Sequence, residues 1–296
     1  MIAAMLTYDM PLWRPPSEGD NLIIQATIGC SFNRCGFCSM YRSKTFRARP
    51  LDAVFADIEA AAALWPMAHR VFLADGDALV LPLDDLFRIL DKLAQCLPNL
   101  ARVSSYALPA NLIKKSVEDL AALRARKLSL IYYGMESGSA DILKRITKGA
   151  SPRAMIEGLG RARDAGLKVS AMVILGLGGR ARWRDHIDGT AELINQTAPN
   201  FLSTLQLRLD PVIEAEFRSR FGEPFEAQDD AGMLAEQERL ISQLDPPRPV
   251  IFRSNHASNA LPLAGTLPKD RDALLAVLGA ARAGELALRP KYSRGH

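Results

Sequence analysis

The sequence predicts an α/β fold: a partial (βα)6 barrel of the TIM type, built from parallel strands and followed by a C-terminal extension. Three observations carry this. Short apolar runs rich in β-branched residues alternate with segments of helical period. Several of those runs are apolar at successive positions, as strands covered on both faces are. Six strand–helix units fit before about residue 212, and the rhythm changes beyond Pro211. A doubly wound open sheet is the alternative, since a list of strands does not reveal closure.

Leu22–Ala26 reads as the first strand. A helix over Leu51–Trp65 follows, with Val54, Phe55, Ile58, Ala62 and Trp65 on one face. Val71–Ala74 is the second strand. The next helix, Asp84–Leu97, turns Leu86, Leu90, Leu93 and Leu97 inward, and Val103–Ala107 is the third strand. Ser116-Val-Glu-Asp119 is a capping box that opens another helix, ahead of the fourth strand, Leu128–Tyr133. Ser151-Pro152 is an N-cap with proline at the first helical position, and that helix stops at Gly166. Lys168–Leu175 and Phe201–Leu207 complete the six strands. Residues 1–212 form the expected core. Residues 213–296 form the expected extension over the barrel mouth, with a charged, Gly- and Pro-broken stretch at Glu214–Asp230 and a helix near Met233–Leu244.

Composition narrows the function. The 296 residues are 48% hydrophobic and 24% charged, with a formal net charge of +4. That balance fits a soluble enzyme and is too mild to indicate nucleic acid. The first sixteen residues lack the basic and apolar regions of a signal peptide, and Val169–Gly179 is far too short to span a bilayer. A cytoplasmic protein without a membrane partner is therefore expected.

Three of the four cysteines fall in one loop, Gly29-Cys-Ser-Phe-Asn-Arg-Cys-Gly-Phe-Cys-Ser-Met-Tyr-Arg42. Clustered thiols in a reducing compartment read as metal ligands. The C-x4-C-x2-C spacing lets one backbone segment aim Cys30, Cys35 and Cys38 at an iron–sulfur cluster. Three ligands would leave one iron of a [4Fe–4S] centre open for chemistry, by analogy with the open position of catalytic zinc. The same spacing also begins the plant-type [2Fe–2S] pattern, with Cys96 as the one further cysteine. Cys96 reads instead as a buried, inert thiol on a helix. Zinc would need a fourth ligand, and His69, His186, His256 and His296 show no zinc-like spacing.

This loop resembles the cluster loop of the radical S-adenosylmethionine (SAM) superfamily. The resembling branch shares its core with oxygen-independent coproporphyrinogen oxidases, the elongator catalytic subunit and the tRNA methylthiotransferases. The first cysteine gap is one residue longer than the usual C-x3-C-x2-C, and Phe37 matches the usual aromatic before the third cysteine. The resemblance covers roughly residues 20–210 and implies two cofactors, a [4Fe–4S] cluster and SAM. It implies reductive cleavage of SAM to a 5′-deoxyadenosyl radical that abstracts hydrogen from a substrate. Residue by residue, it assigns Asp75-Gly76-Asp77 to the methionyl amine, Glu136 and Ser137 to the ribose, and Ile174 and Gly176 to the adenine. Each also has a plain structural reading: a turn at Asp75–Asp77, a helix-dipole acid at Glu136, a strand-to-helix turn at Gly176. All lie at the C-terminal ends of strands, where barrel enzymes build their sites.

On the substrate side, Pro249–Phe252 reads as a late strand and Arg253-Ser-Asn-His-Ala-Ser-Asn259 as a polar loop closing the barrel mouth. His256 is its candidate catalytic residue, a proton donor or fixed hydrogen-bond partner, with Arg253, Asn255 and Asn259 orienting a polar group. The expected substrate is a small molecule and the expected electron donor a flavodoxin or ferredoxin. A tRNA substrate, suggested by the relatives and the basic run Arg42, Lys44, Arg47 and Arg49, is the second reading. A non-catalytic electron carrier is the third.

Overall fold

The computed structural model describes residues 6–295. The chain divides into two compact units. One runs up to Asn33 and continues through Cys38–Tyr133 and Gly160–Val169; the other takes Arg34–Phe37, Gly134–Leu159 and the chain from Ser170 onward.

In the first unit, β1 (Leu22–Gln25) leads into a small hairpin of β2 (Thr27–Ile28) and β3 (Arg47–Ala48). Then come α1 (Leu51–Leu64), β4 (Arg70–Ala74), α2 (Leu83–Cys96), β5 (Arg102–Ala107), α3 (Pro109–Ile113), α4 (Val117–Ala125) and β6 (Leu128–Glu136). β1, β4, β5 and β6 lie side by side in chain order, all parallel, with Ile24 opposite Leu73 and Ser105 opposite Ile131. Such a sequential order lacks the reversal at the switch point of a doubly wound sheet. Val71, Phe72, Leu73 and Ala74 are all buried, the signature of a strand covered on both faces. The capping box forms as read: Ser116 Oγ accepts the Asp119 N–H at 3.1 Å, and Asp119 Oδ2 accepts the Ser116 N–H at 3.0 Å.

The chain continues with α5 (Ala140–Arg145), α6 (Pro152–Asp164) and β7 (Lys168–Leu175), of which Gly160–Val169 belongs to the first unit, and then, in the second, α7 (Gly179–Thr197), β8 (Phe201–Gln206), α8 (Pro211–Phe221), α9 (Asp230–Gln243), β9 (Val250–Arg253), β10 (Ala264–Leu267) and α10 (Arg271–Arg282). β7, β8 and β9 are parallel, and β10 pairs antiparallel with β9. The α/β class and the mostly parallel strands predicted from the sequence are present. No helix among the described residues is long and apolar enough to cross a membrane.

Several local expectations change. α1 stops at Leu64, and Trp65 is 50% exposed rather than inward. Cys96 closes α2 and is only partly buried, because the buried stripe is Leu86, Ile89, Leu90 and Leu93. The charged stretch after Pro211 holds a regular helix: Asp210 caps it through the Val212 N–H, and Ile213, Phe217 and Phe221 bury at i, i+4, i+8 between Glu and Arg. Gly222, at φ +79°, ends it.

Candidate active site

The cysteine loop starts at Gly29, which adopts φ +74° directly after β2. The turn after β4 holds this start from the side. Asp75 Oδ2 accepts the Gly29 N–H at 3.0 Å and pairs with Lys44 Nζ at 2.9 Å; Asp77 accepts the Ser31 N–H at 2.8 Å and the Ser31 hydroxyl at 2.5 Å. Gly76 donates its N–H to Gly29 O, and a Cβ at Gly76 would lie 2.8 Å from Cys30 Cβ. The middle position must therefore be glycine for the turn to reach the cysteine. Asp75 and Asp77 are fully buried; burial raises the Asp77 pKa, and the Ser31 hydrogen bonds oppose it. Further along, Asn33 ties Tyr41 O and Lys44 O together, and Arg42 Nε donates to Cys38 O. Lys44 is itself buried, also donating to Asp9 O at 2.6 Å, while Arg47 pairs with Asp9 and Arg49 with Asp57. Of the four basic residues in this run, three are therefore bound to carboxylates of the same chain.

The Arg34–Phe37 stretch of the loop, which carries Cys35, belongs to the second unit. There the Gly36 N–H donates to Ile146 O at 2.8 Å, and Arg220 donates to Arg34 O at 2.9 Å. The Lys148 ammonium lies 5.8 Å from the Phe37 ring centre and 2.9 Å from Glu136 Oε1, both ionic side chains being almost fully buried. Glu136 ends β6 at φ +63°, a backbone conformation rare outside glycine. A Cβ on Gly134 would overlap the Glu136 carboxylate. The predicted aromatic and the predicted ribose acid thus share one cation.

Ser137 and Ile174 are joined by a residue that sequence reasoning passed over. The buried His186 on α7 has Nε2 3.0 Å from Ile174 O and Nδ1 2.8 Å from Ser137 Oγ. A carbonyl oxygen only accepts, so Nε2 carries the proton. Burial holds the ring pKa down at about 4, which keeps it neutral, and Nδ1 then accepts from the Ser137 hydroxyl. Helix α7 comes this close because Gly138 and Gly189 meet backbone to backbone, with no room for a Cβ at Gly138. Gly138→Ala is expected to lower stability by about 2–3 kcal/mol, as overpacking at a rigid backbone contact does, and urea unfolding measures it. A lone histidine in the charged helix start Arg180–Asp188 gives no sequence signal of its own. The Gly138 and Gly189 pair, 51 positions apart in the sequence, could only have been matched with the fold in hand.

Gly176, at φ +86°, ends β7, and its N–H donates to the carboxylate of Glu236 on α9. The loop after β9 lies at the C-terminal end of β8. Asn259 accepts the Gln206 N–H and donates to Thr204 O and Ser254 O, and Arg253 donates to Phe252 O. Leu175, Gln206, Gln237, Ser254 and Asn259 line a small cavity there. The predicted catalytic His256 has its Nδ1 2.8 Å from Ser258 Oγ, and its pKa is lowered by burial and by Arg289. Arg289 Nη1 donates to the carbonyls of His256, Ala257 and Asn259 at 2.8, 2.9 and 3.1 Å.

The donor chemistry suits an iron–sulfur cluster: three thiols of intermediate exposure on a loop whose start is gripped at the backbone. Among the described residues no three His, Cys, Asp or Glu side chains converge on a single-ion site. The cysteines are candidate cluster ligands by their chemistry and spacing, not by a preformed tetrahedron.

Comparisons with known proteins agree. The Radical SAM superfamily profile matches residues 24–194. A Methanocaldococcus jannaschii protein named as a methylthiotransferase is 26% identical over 167 residues, covering 53% of this chain and 36% of the relative. Among solved structures, the radical SAM enzyme coproporphyrinogen III oxidase of Escherichia coli superposes with a TM-score of 0.57 at 15% identity, over 75% of this chain and 52% of the other. A radical SAM methyltransferase of Kitasatospora setae, solved with cobalamin and a [4Fe–4S] cluster, gives 0.53 at 17% identity, over 64% and 35%. The chain thus spans about a third to a half of the length of these relatives, and the structural likeness shows the fold. By the profile match over more than half its length this chain belongs to the radical SAM superfamily, whose enzymes use a [4Fe–4S] cluster and SAM.

Proposed function

We propose that this enzyme cleaves SAM reductively at a cluster held by Cys30, Cys35 and Cys38 and acts on a small-molecule substrate. The observation that carries the reading is the C-x4-C-x2-C loop bound through Gly29, Ser31 and Gly76 to the Asp75–Asp77 turn. When bound, the reduced cluster and SAM supply a 5′-deoxyadenosyl radical that abstracts hydrogen. The chain's own residues position and shield the reactants. Asp75 and Asp77 fix the loop, and the backbone of their turn faces the methionyl amine. Glu136, its charge balanced by Lys148, takes the ribose hydroxyls. Ile174 and Gly176 flank the adenine, and Ser137 is held in place by His186. Residues 1–212 act as the core, and the extension at 213–296 brings His256 to the substrate. A flavodoxin- or ferredoxin-type protein supplies the electron, in the cytoplasm. Anaerobic reconstitution with iron and sulfide analysis, then a dithionite-driven assay for 5′-deoxyadenosine, tests the reading. A cluster-loaded protein that yields no 5′-deoxyadenosine from SAM refutes it.

Two further outcomes follow. Asp77→Ala frees the Ser31 N–H and hydroxyl beside Cys30, and iron retained after desalting is expected to fall. Asp77→Asn, which still accepts, should retain more iron. As for tRNA, the carboxylate pairing of Lys44 and Arg49 draws them into the protein and leaves only Arg42 and the exposed Arg47 of that basic run for phosphates. Filter binding at low and high salt is expected to show no structure-specific complex. A steep salt dependence removed by Arg42→Ala with Arg47→Ala would reverse this.

A further inference from the structure

Glu236 is a fully buried carboxylate on α9. Its Oε2 accepts the Gly176 N–H at 2.6 Å and its Oε1 accepts from Gln228 Nε2 at 3.1 Å. One turn earlier on the same helix, the Met233 side chain fills the space that a Cβ on Gly176 would need. The far end of the same turn is held similarly: Arg180 donates its N–H to Glu226 O at 2.9 Å, and a Cβ on Gly179 would lie 2.8 Å from that oxygen. The segment Gly176-Leu-Gly-Gly179 has three glycines and little conformational preference of its own. The turn closes on itself through the Gly179 N–H to Gly176 O at 3.0 Å, and both of its ends are braced from residues 226–236. Burying a carboxylate is costly, and burial pushes Glu236 up to about 7. A leucine would cost less at this position unless the Gly176 N–H needed a fixed acceptor.

We infer that Glu236 is a positioning residue that fixes the Gly176 turn in the conformation that receives the adenine of SAM. The inference rests on the SAM reading above. It makes helix α9 of the extension a working part of the cofactor site.

The test uses the cluster-loaded protein and the Glu236→Gln, Glu236→Asp and Glu236→Leu variants. Amide exchange of a peptide covering residues 174–179 is read by mass spectrometry, and SAM affinity by equilibrium dialysis. Gln keeps an acceptor at the same reach, so protection persists and affinity stays near wild type. Asp withdraws the carboxylate by a methylene and Leu removes the acceptor. Both should expose the Gly176 amide and weaken SAM binding by about tenfold, ~1.4 kcal/mol, with iron content unchanged. Should Leu fail to fold, Asp decides. Wild-type exchange and affinity in Glu236→Asp overturn the inference. If wild type itself binds no SAM, the SAM reading fails instead, and the exchange result still reports whether Glu236 holds the turn.

Discussion

Alanine at Cys30, Cys35 or Cys38 is expected to abolish the cluster, leaving iron near background and no EPR signal after reduction. Cys96→Ala should load like wild type. Each of the three thiolates binds a separate iron of a cubane, so losing one leaves two open corners and a labile centre. Cys96 sits at the end of α2, in the first unit, beside Lys92. Iron and sulfide counts on the four variants, reconstituted side by side, decide the matter. Loss of the cluster in Cys96→Ala would make Cys96 the fourth ligand and restore the [2Fe–2S] reading.

His186 is expected to give the largest change in stability. Replacing it with leucine strands Ile174 O and the Ser137 hydroxyl proton in the core, at about 1–3 kcal/mol each, so a loss of ~3–5 kcal/mol at neutral pH is expected. The pH dependence has a definite sign. The ring titrates near 6.5 when unfolded and at about 4 in the folded protein, so the unfolded chain binds more protons between those values. The stability of the neutral ring is whole above pH 6.5 and is lost as the pH falls towards 4. At ~1.4 kcal/mol per unit the total is roughly 3 kcal/mol. Glu236 acts oppositely: raised from 4.5 to about 7, it penalises the fold progressively as the pH rises through that interval. His186→Gln should flatten the acid limb and Glu236→Gln the neutral one in urea titrations from pH 4 to 8. An unchanged acid limb in His186→Gln would show that the imidazole does not report on folding.

The parts legible in the sequence were those set by local rules. Apolar runs marked β1, β4, β5, β7 and β8, the Ser116 box marked α4, and Pro152 marked α6. Cysteine spacing marked the candidate cluster loop because Cys30, Cys35 and Cys38 are near neighbours in the chain. The hidden parts depend on distant partners. Asp75 and Asp77 reach residues 46 positions away, Glu236 reaches Gly176 from 60 positions away, and the His186 link needs two strand ends and a helix at once. α8 escaped notice because every buried residue in it is flanked by charges that mimic a loop. Trp65 misled because a helical period continues one residue past the point where α1 actually ends.

Arg289 has a consequence for handling the protein. The connector from Arg282 to Ala287 is exposed, whereas Arg289 and Arg294 beyond it are tied down: Arg289 to the carbonyls of the His256 loop, Arg294 to both oxygens of Asp230. A protease cutting in the connector would leave the segment beyond it held by these contacts, by the Arg289 N–H to Ala260 O and by Arg208 to Arg294 O. The clipped enzyme would migrate as intact on a native gel, and wash-off of the peptide would then release three loop carbonyls at once. Preparations clipped in this connector on storage should therefore keep cluster and SAM binding while their His256 loop becomes the first segment to exchange its amides.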